Sequence, residues 1–429
     1  MQPRCSRTPG HAGVSVPTHE AAGGAPPDYD VVIVGGGLVG ASLALALSGS
    51  PRRVLLIEGV APDSSAQPSF DERTTALGNA TRRIFQGLGV WDALAGEAAA
   101  IRTIHVSEAG RFGSARLRAA EQGIDAFGYV IPNRVIGRAL WRGLERAGGV
   151  TLRVPAKVAT AEIAADGAAL TLIGADGTQE RVSARLLVAA DGANSIVRAA
   201  AGIAAQIEDY DQVAITAPVL TDRPHDGTAY ERFTSSGPVA VLPLHGGGYG
   251  TVWACEPARA AQLMALPDAH YLEALQERFG WRAGRLLSLG RRASYPLRLS
   301  RAEATVGTRT ALVGNAAQGL HPIAGQGFNL GLRDAALLAE RIAAASGDPG
   351  APELLRSYSE ARAADRGGVV RFTDSLVKLF ASALPGASLL RTLGLVAFDL
   401  SPPAKRALAR VSLGFGGPTP RLARGLPVA

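Results

Sequence analysis

The sequence predicts an α/β protein: a strand–helix domain interrupted by a separate sheet-based region, with a helical segment at its C-terminal end. Three observations carry this reading. Residues 31–58 run as a β-branched apolar strand, a glycine cluster, an apolar helix and a second apolar strand. Residues 205–300 change to several short strand-like runs. The chain then returns to an apolar strand, Thr310 to Val313, and a long helix from about Gly327 to Ala345.

At 429 residues, 47% hydrophobic and 19% charged, the chain has material for two or three domains and is not disordered overall. Its two cysteines are Cys5 and Cys255. Cys5 falls in a Pro- and Gly-rich stretch, so a disulfide framework is not expected and a reducing compartment fits. No Cys or His cluster has metal-ligand spacing, so no metal is expected. Residues 1–28 lack both periodicity and an apolar core segment, which predicts a disordered extension and no signal peptide. Residues 31–51 carry no charge and are long enough to raise a transmembrane helix. Gly35, Gly36, Gly37 and Gly40, together with the β-branched first half, favour strand, turn and buried helix instead.

In order, the pattern predicts helix near Thr81 to Leu94, strands within 101–130 and helix from Pro132 to Glu145. Strands follow at Val150 to Val158, Leu170 to Ile173 and Leu186 to Ala190. The middle region shows strands at Val213 to Val219, Val239 to Leu244 and Gly250 to Ala254, and a helix at Asp268 to Phe279. The expected organisation is a 1–28 extension, a nucleotide-binding domain in two parts (29–204 and 301–370), a substrate-binding sheet region (205–300) and a basic helical segment (371–429). From residue 371 onward eight basic residues face two acidic ones, most of the net +7. The apolar runs Leu376 to Leu384 and Leu393 to Phe398 make lipid headgroups a better partner than nucleic acid. A solvated basic face on a packed helix is the alternative.

The first motif is Val31-Val32-Ile33-Val34-Gly35-Gly36-Gly37-Leu38-Val39-Gly40. Gly35 permits the sharp turn, Gly37 lets a pyrophosphate approach the backbone, and Gly40 allows close helix–strand packing. The pyrophosphate then sits on free N–H groups at the helix N-terminus. Glu58 ends the next strand, where a carboxylate accepts hydrogen bonds from ribose hydroxyls. This is a Rossmann-like unit for an adenine dinucleotide, and by itself it leaves FAD and NAD open.

Two later motifs narrow the choice. Leu186-Leu187-Val188-Ala189-Ala190-Asp191-Gly192 places Asp191 after a buried strand; taken alone it reads equally as a turn. Val313-Gly314-Asn315-Ala316-Ala317-Gln318-Gly319-Leu320-His321-Pro322-Ile323-Ala324-Gly325-Gln326-Gly327-Phe328-Asn329 follows a strand and opens a long helix. Gly325 and Gly327 expose N–H groups there, a setting that favours the negative edge of a reduced flavin.

The three motifs, in this order and spacing, resemble the single-component flavin aromatic hydroxylases related to p-hydroxybenzoate hydroxylase. Phe70-Asp71-Glu72-Arg73, Leu88-Gly89-Val90-Trp91, Asn133-Arg134, Glu231-Arg232-Phe233 with Gly237-Pro238, Leu242-Pro243-Leu244 and Pro420-Arg421-Leu422-Ala423-Arg424-Gly425 look like the ubiquinone-biosynthesis branch. The segment around Asn315 is similar to the 2-polyprenyl-6-methoxyphenol hydroxylases in particular, although the wider family usually has Asp at that position.

The resemblance implies FAD as cofactor, NAD(P)H as electron donor, O2 as co-substrate, and transfer of oxygen to a phenol ring from a flavin C4a-hydroperoxide. It implies that Gly35, Gly37, Leu38, Val39, Gly40 and Glu58 hold the ADP half, with Arg73 and Arg134 near the pyrophosphate and ribityl chain. Val158 would reach adenine through its backbone, and Asp191 would reach the cofactor from the second motif. Asn315, Gly325, Gln326, Gly327, Phe328 and Asn329 would hold the ribityl chain and ring. Arg232, Phe233, Pro238 and Pro322 are the substrate-site candidates. No catalytic base is identified, since His321 beside Pro322 reads as positional. The implied partners are a polyprenyl phenol, a membrane surface at the basic C-terminal segment and other quinone-biosynthesis proteins, with no nucleic acid, in a cytoplasmic protein peripheral to the inner membrane. Two rival readings stay open: a hydroxylase of a soluble aromatic, and a non-catalytic flavoprotein scaffold. A halogenase lacks support, because Trp91, Trp141, Trp253 and Trp281 form no paired motif.

Overall fold

The structure, a computed structural model, describes residues 26–64, 67, 71, 73–111, 113–320, 325–381, 387–415 and 417–428. Most of the 1–28 extension and the candidates Phe70, Glu72, His321 and Pro322 lie outside the described residues.

The first sheet has a parallel centre. Strands Thr310–Leu312, Gln179–Ala189, Tyr29–Val34, Val54–Ile57 and Val150–Arg153 lie side by side in that order, each parallel to its neighbour. Val31, Ile33, Leu56 and Val188 are buried against the helices Leu38–Leu47, Asn133–Ala147 and Gln326–Ala344. Val32, Leu55 and Leu187 are buried on the other side, beneath the antiparallel strands Ala156–Ile163 and Ala168–Gly174. Burial on both faces explains why these strands read as unbroken apolar runs. The chain leaves Tyr29–Val34 toward one side of the sheet and joins Gln179–Ala189 on the other, which opens a crevice at the C-terminal strand ends.

The second sheet has nine strands, with Ala205–Thr221, Tyr249–Cys255, Gly237–Pro243 and Thr228–Thr234 at its centre. It is wider than the 205–300 interval. Thr103–Glu108 pairs parallel to Thr228–Thr234, and Ser114–Arg118 extends it further. One face packs Ile215, Val239, Val241 and Trp253 against helices Pro257–Ala265 and Asp268–Phe279. The other face looks into a cleft shared with the first sheet.

Several elements differ from expectation for local reasons. The 81–94 helix is two, Asn79–Gly87 and Trp91–Ala95, with Gly89 between them at φ +69. The strand expected at Val150 to Val158 divides at Pro155, which has no N–H for the ladder; Val158 therefore sits near the start of the second piece. Helix Pro352–Ala381 runs through the expected boundary at residue 370. Behind the cleft this helix is tied to Gln326–Ala344 by buried ion pairs: Arg362 to Asp334 at 2.6 Å, and Arg333 to Asp365 at 2.9 Å. Helices Ala387–Asp399 and Pro402–Ser412 close one side of the cleft with Leu395, Phe398 and Leu408.

Candidate active site

Four strand ends of the parallel sheet carry the predicted cofactor residues into one cleft of ≈ 2060 Å³. Tyr29–Val34 delivers the glycine turn, Val54–Ile57 delivers Glu58, Gln179–Ala189 delivers Asp191, and Thr310–Leu312 leads to Gly314 and Asn315. Gly35, Gly37, Leu38, Val39, Glu58, Val158, Asp191 and Asn315 all line this space.

The turn can be built only from glycine. Gly35 has φ +102, and a Cβ there would lie 2.4 Å from the Ala190 carbonyl oxygen. A Cβ at Gly40 would lie 1.9 Å from the Gly35 carbonyl oxygen. Gly37 caps helix Leu38–Leu47 without a side-chain capping hydrogen bond, which leaves first-turn N–H groups to a ligand. Glu58 accepts hydrogen bonds from the N–H groups of Gly36 (2.6 Å) and Val60 (2.9 Å), which fixes its carboxylate over the turn with lone pairs to spare. Sequence reasoning missed Trp141, whose indole donates to the Gly36 carbonyl at 3.1 Å and packs beneath the loop. Its place in the buried row with Ile136, Leu140 and Leu144 reads as ordinary helix core.

Asp191 accepts from the Ile196 N–H at 2.8 Å through Oδ2, while Oδ1 is buried without a partner among the described residues. An orphan acceptor beside a glycine cradle fits a hydroxyl-bearing, phosphate-linked cofactor. Gly314 takes φ +59, and Gly331 packs so tightly on it that a Cβ would sit 2.8 Å from its Cα. This holds Asn315 exposed at the cleft. Gly325 caps the 19-residue helix Gln326–Ala344 at φ +60, directing that helix's N-terminus into the cleft.

The remaining cofactor candidates also line the cleft, each with its own contacts. Asn329 is buried with its side chain fully engaged: it accepts from Gly78 N–H (2.8 Å) and Thr81 hydroxyl (2.7 Å), and donates to the carbonyls of Ala76 (2.8 Å) and Gly325 (2.7 Å). Its work is to pin the helix cap to strand Thr74–Gly78. The Phe328 ring packs on Phe85, with centroids 6.2 Å apart, leaving its backbone to the site. Gln326 is buried beside it. Arg73 pairs with Asp71 and lies over the Tyr295 ring, 5.4 Å from its centroid. Arg134 lines the cleft and its N–H donates to the Asp71 carbonyl at 3.3 Å.

The lining of the cleft sorts the substrate candidates, and strand alternation explains the place of Arg232. Ala229, Glu231 and Phe233 line the cleft, whereas Arg232 and Pro238 are not among its lining residues. Arg232 stands on the helix-covered face, where burial and the nearby Arg282 and Arg278 guanidiniums lower its pKa. The period of two sends neighbours to opposite faces, so the carboxylate and the aromatic ring enter the cleft and the guanidinium does not. Burial pushes the Glu231 carboxyl up to about 7. Among the described residues no acid, His or Cys cluster could hold a metal ion, and no helix is long and apolar enough to cross a membrane.

Comparison with known proteins agrees with this geometry. The family described as FAD binding domain matches residues 28–373. Ubiquinone hydroxylase UbiL of Rhodospirillum rubrum is 40% identical over 418 residues, 96% of each chain. The 3-demethoxyubiquinol 3-hydroxylase of Escherichia coli is 34% identical over 394 residues, covering 90% of this chain and 98% of that one. Among solved structures, p-nitrophenol 4-monooxygenase PnpA from Pseudomonas putida DLL-E4 superposes with a TM-score of 0.74 at 20% identity. It covers 90% of this chain and 98% of its own, which bears on the fold alone.

Proposed function

The chain belongs to the FAD binding domain family and is an FAD-dependent monooxygenase of its ubiquinone-hydroxylase branch; from that premise we propose that it hydroxylates the ring of a polyprenylated methoxyphenol. The observation that carries this reading is the shape of the cleft. A glycine-built cradle for a phosphate-linked cofactor faces a sheet surface that is mostly apolar, and the cleft continues to Leu395, Phe398 and Leu408 on the terminal helices.

Bound FAD would supply the redox chemistry, passing electrons from NAD(P)H to O2 and oxygen to the ring. The chain supplies the rest. The glycine turn and Glu58 would hold the ADP half, and Asp191 would reach the cofactor beside them. Asn315 and the N-terminus of helix Gln326–Ala344 hold the other end. Val106, Ala240 and Val252 present a dry wall to the aromatic ring, which protects reactive oxygen species from water. The apolar stretch toward the terminal helices suits a prenyl tail.

Along this segment Leu393, Leu400, Arg406 and Arg410 are exposed to solvent. Exposed apolar and basic side chains on the segment that also lines the cleft through Leu395, Phe398 and Leu408 support docking on an anionic bilayer, from which a lipid-like phenol would enter.

The test is NAD(P)H oxidation and product formation by the FAD-loaded full chain with a prenylated methoxyphenol, with and without anionic vesicles. Product-coupled oxidation, faster on vesicles at low salt than at high salt, is expected. A soluble phenol turned over in preference would replace the prenylated substrate. Bound FAD with no phenol-stimulated oxygen use would leave a flavoprotein scaffold. A rate indifferent to vesicles would remove the docking surface.

A further inference from the structure

Glu231 has no task in the reading above. It stands on the cleft-facing side of strand Thr228–Thr234. Level with it across the second sheet are Val106 on one side, then Ala240, Val252 and Thr216 on the other. All of these line the cleft, so the carboxylate is the single ionisable group in a row of small or apolar side chains. It makes no hydrogen bond and no ion pair among the described residues, and desolvation alone accounts for its raised pKa. An unpartnered carboxylate facing an apolar surface costs stability, so its presence there calls for a task. A carboxyl that ionises near neutrality is matched to general-base work.

We infer that Glu231 is a catalytic base of the hydroxylation, accepting the proton of the substrate's phenolic hydroxyl as a ring carbon takes up oxygen. This rests on the phenol reading above. The O–H bond breaks, its electron pair enters the ring, and the attacking carbon forms a bond to an oxygen that comes from O2. The proton passes to Glu231 and the ring becomes a cyclohexadienone. Loss of the proton from the newly substituted carbon to water, and return of the Glu231 proton to the ring oxygen, restore both the aromatic ring and the carboxylate. NAD(P)H is the reductant, and the second oxygen atom leaves as water.

The pH dependence follows from the groups around it. On its own strand Tyr230 and Arg232 face away, and on the adjoining strand so does His105, which packs on Tyr230. Glu108 lies two residues beyond Val106 on the same side of that strand. Strands Gly237–Pro243 and Tyr249–Cys255 bring no charged side chain to the cleft face. From beyond them come Tyr295 with Arg73 and Asp71, then Arg134, and the exposed Arg291, Arg298 and His245. The base must be ionised, so kcat/KM should fall about tenfold per pH unit below about 7.

The experiment compares wild type with Glu231→Gln and Glu231→Asp, each FAD-loaded, across pH 5 to 9 in steps of roughly half a unit, with product formation and hydrogen peroxide both measured. Retained FAD absorbance reports the fold. Expected for Glu231→Gln is product formation lowered about 100-fold or more, loss of the acid limb, and a larger share of NAD(P)H ending as peroxide. Glu231→Asp should keep an acid limb at a reduced rate. A Glu231→Gln variant with wild-type rate or an unchanged acid limb overturns the assignment and leaves the phenol reading standing. A wild type that turns over no phenol overturns both, and the wild-type trace alone shows which case holds.

Discussion

The two sides of the cleft are made in different ways. The cofactor side is backbone: glycine turns, helix N-termini and strand ends, with side chains mainly holding loops in place. The opposite side is side chain: one face of a sheet, whose chemistry depends on which alternate residues point inward. On the first side a substitution acts through steric exclusion, because the backbone has no room to yield. On the second it acts through what the substrate meets, and the fold tolerates it.

The largest effect should come from the cofactor side. Gly40→Ala places a methyl group against the Gly35 carbonyl, a backbone group that cannot rotate away. The purified variant is expected to lose its flavin absorbance, with a destabilisation of about 3 kcal/mol. A yellow, stable Gly40→Ala protein would show that the turn can move. Asn329→Ala should come next. It leaves the Gly78 N–H, the Thr81 hydroxyl and two carbonyls without their buried partner, which costs about 3 kcal/mol in urea denaturation. It should weaken FAD binding less than Gly40→Ala does, because the helix cap is loosened and not blocked. The smallest effect sharpens the contrast from the other side. Arg232→Gln should change KM for the phenol by no more than about twofold, since its side chain lies on the helix-covered face. A tenfold rise in KM would place that guanidinium in the cleft and reverse the phase of the strand.

This difference also decides what could be read from the sequence. A glycine that must have positive φ or a close neighbour is recorded in its residue type, so Gly35, Gly40 and Gly325 were legible, and the strand endings located Glu58 and Asp191. The roles of side chains were less legible. Asn329 stands in a cofactor motif yet spends every hydrogen bond on the fold. Glu231, Arg232 and Phe233 are adjacent in sequence, and only the pairing of their strand with Thr103–Glu108 and Gly237–Pro243 settles which of them face the cleft. That pairing is long-range, which is also why nothing local in residues 103–118 marks those strands as part of the second sheet. Trp141 carries no local mark, because a tryptophan on an apolar helix face looks like core until its indole is seen to hold the Gly36 carbonyl.

The order of strands in the first sheet has a consequence for how the protein is made. Its centre pairs a strand from the start of the chain, Tyr29–Val34, with Gln179–Ala189, and the sheet continues to Thr310–Leu312. Most strands of the second sheet, from Ala205–Thr221 to Ala293–Ala302, emerge from the ribosome between those last two strands. A nascent chain can form the glycine turn early, but the crevice lacks its fourth strand end until residue 312 has emerged. It lacks the helix cap at Gly325 until later still, and the wall carrying Leu395, Phe398 and Leu408 is synthesised after both. Cofactor capture is therefore a late event in the life of the chain, and a truncated product would hold half of a site.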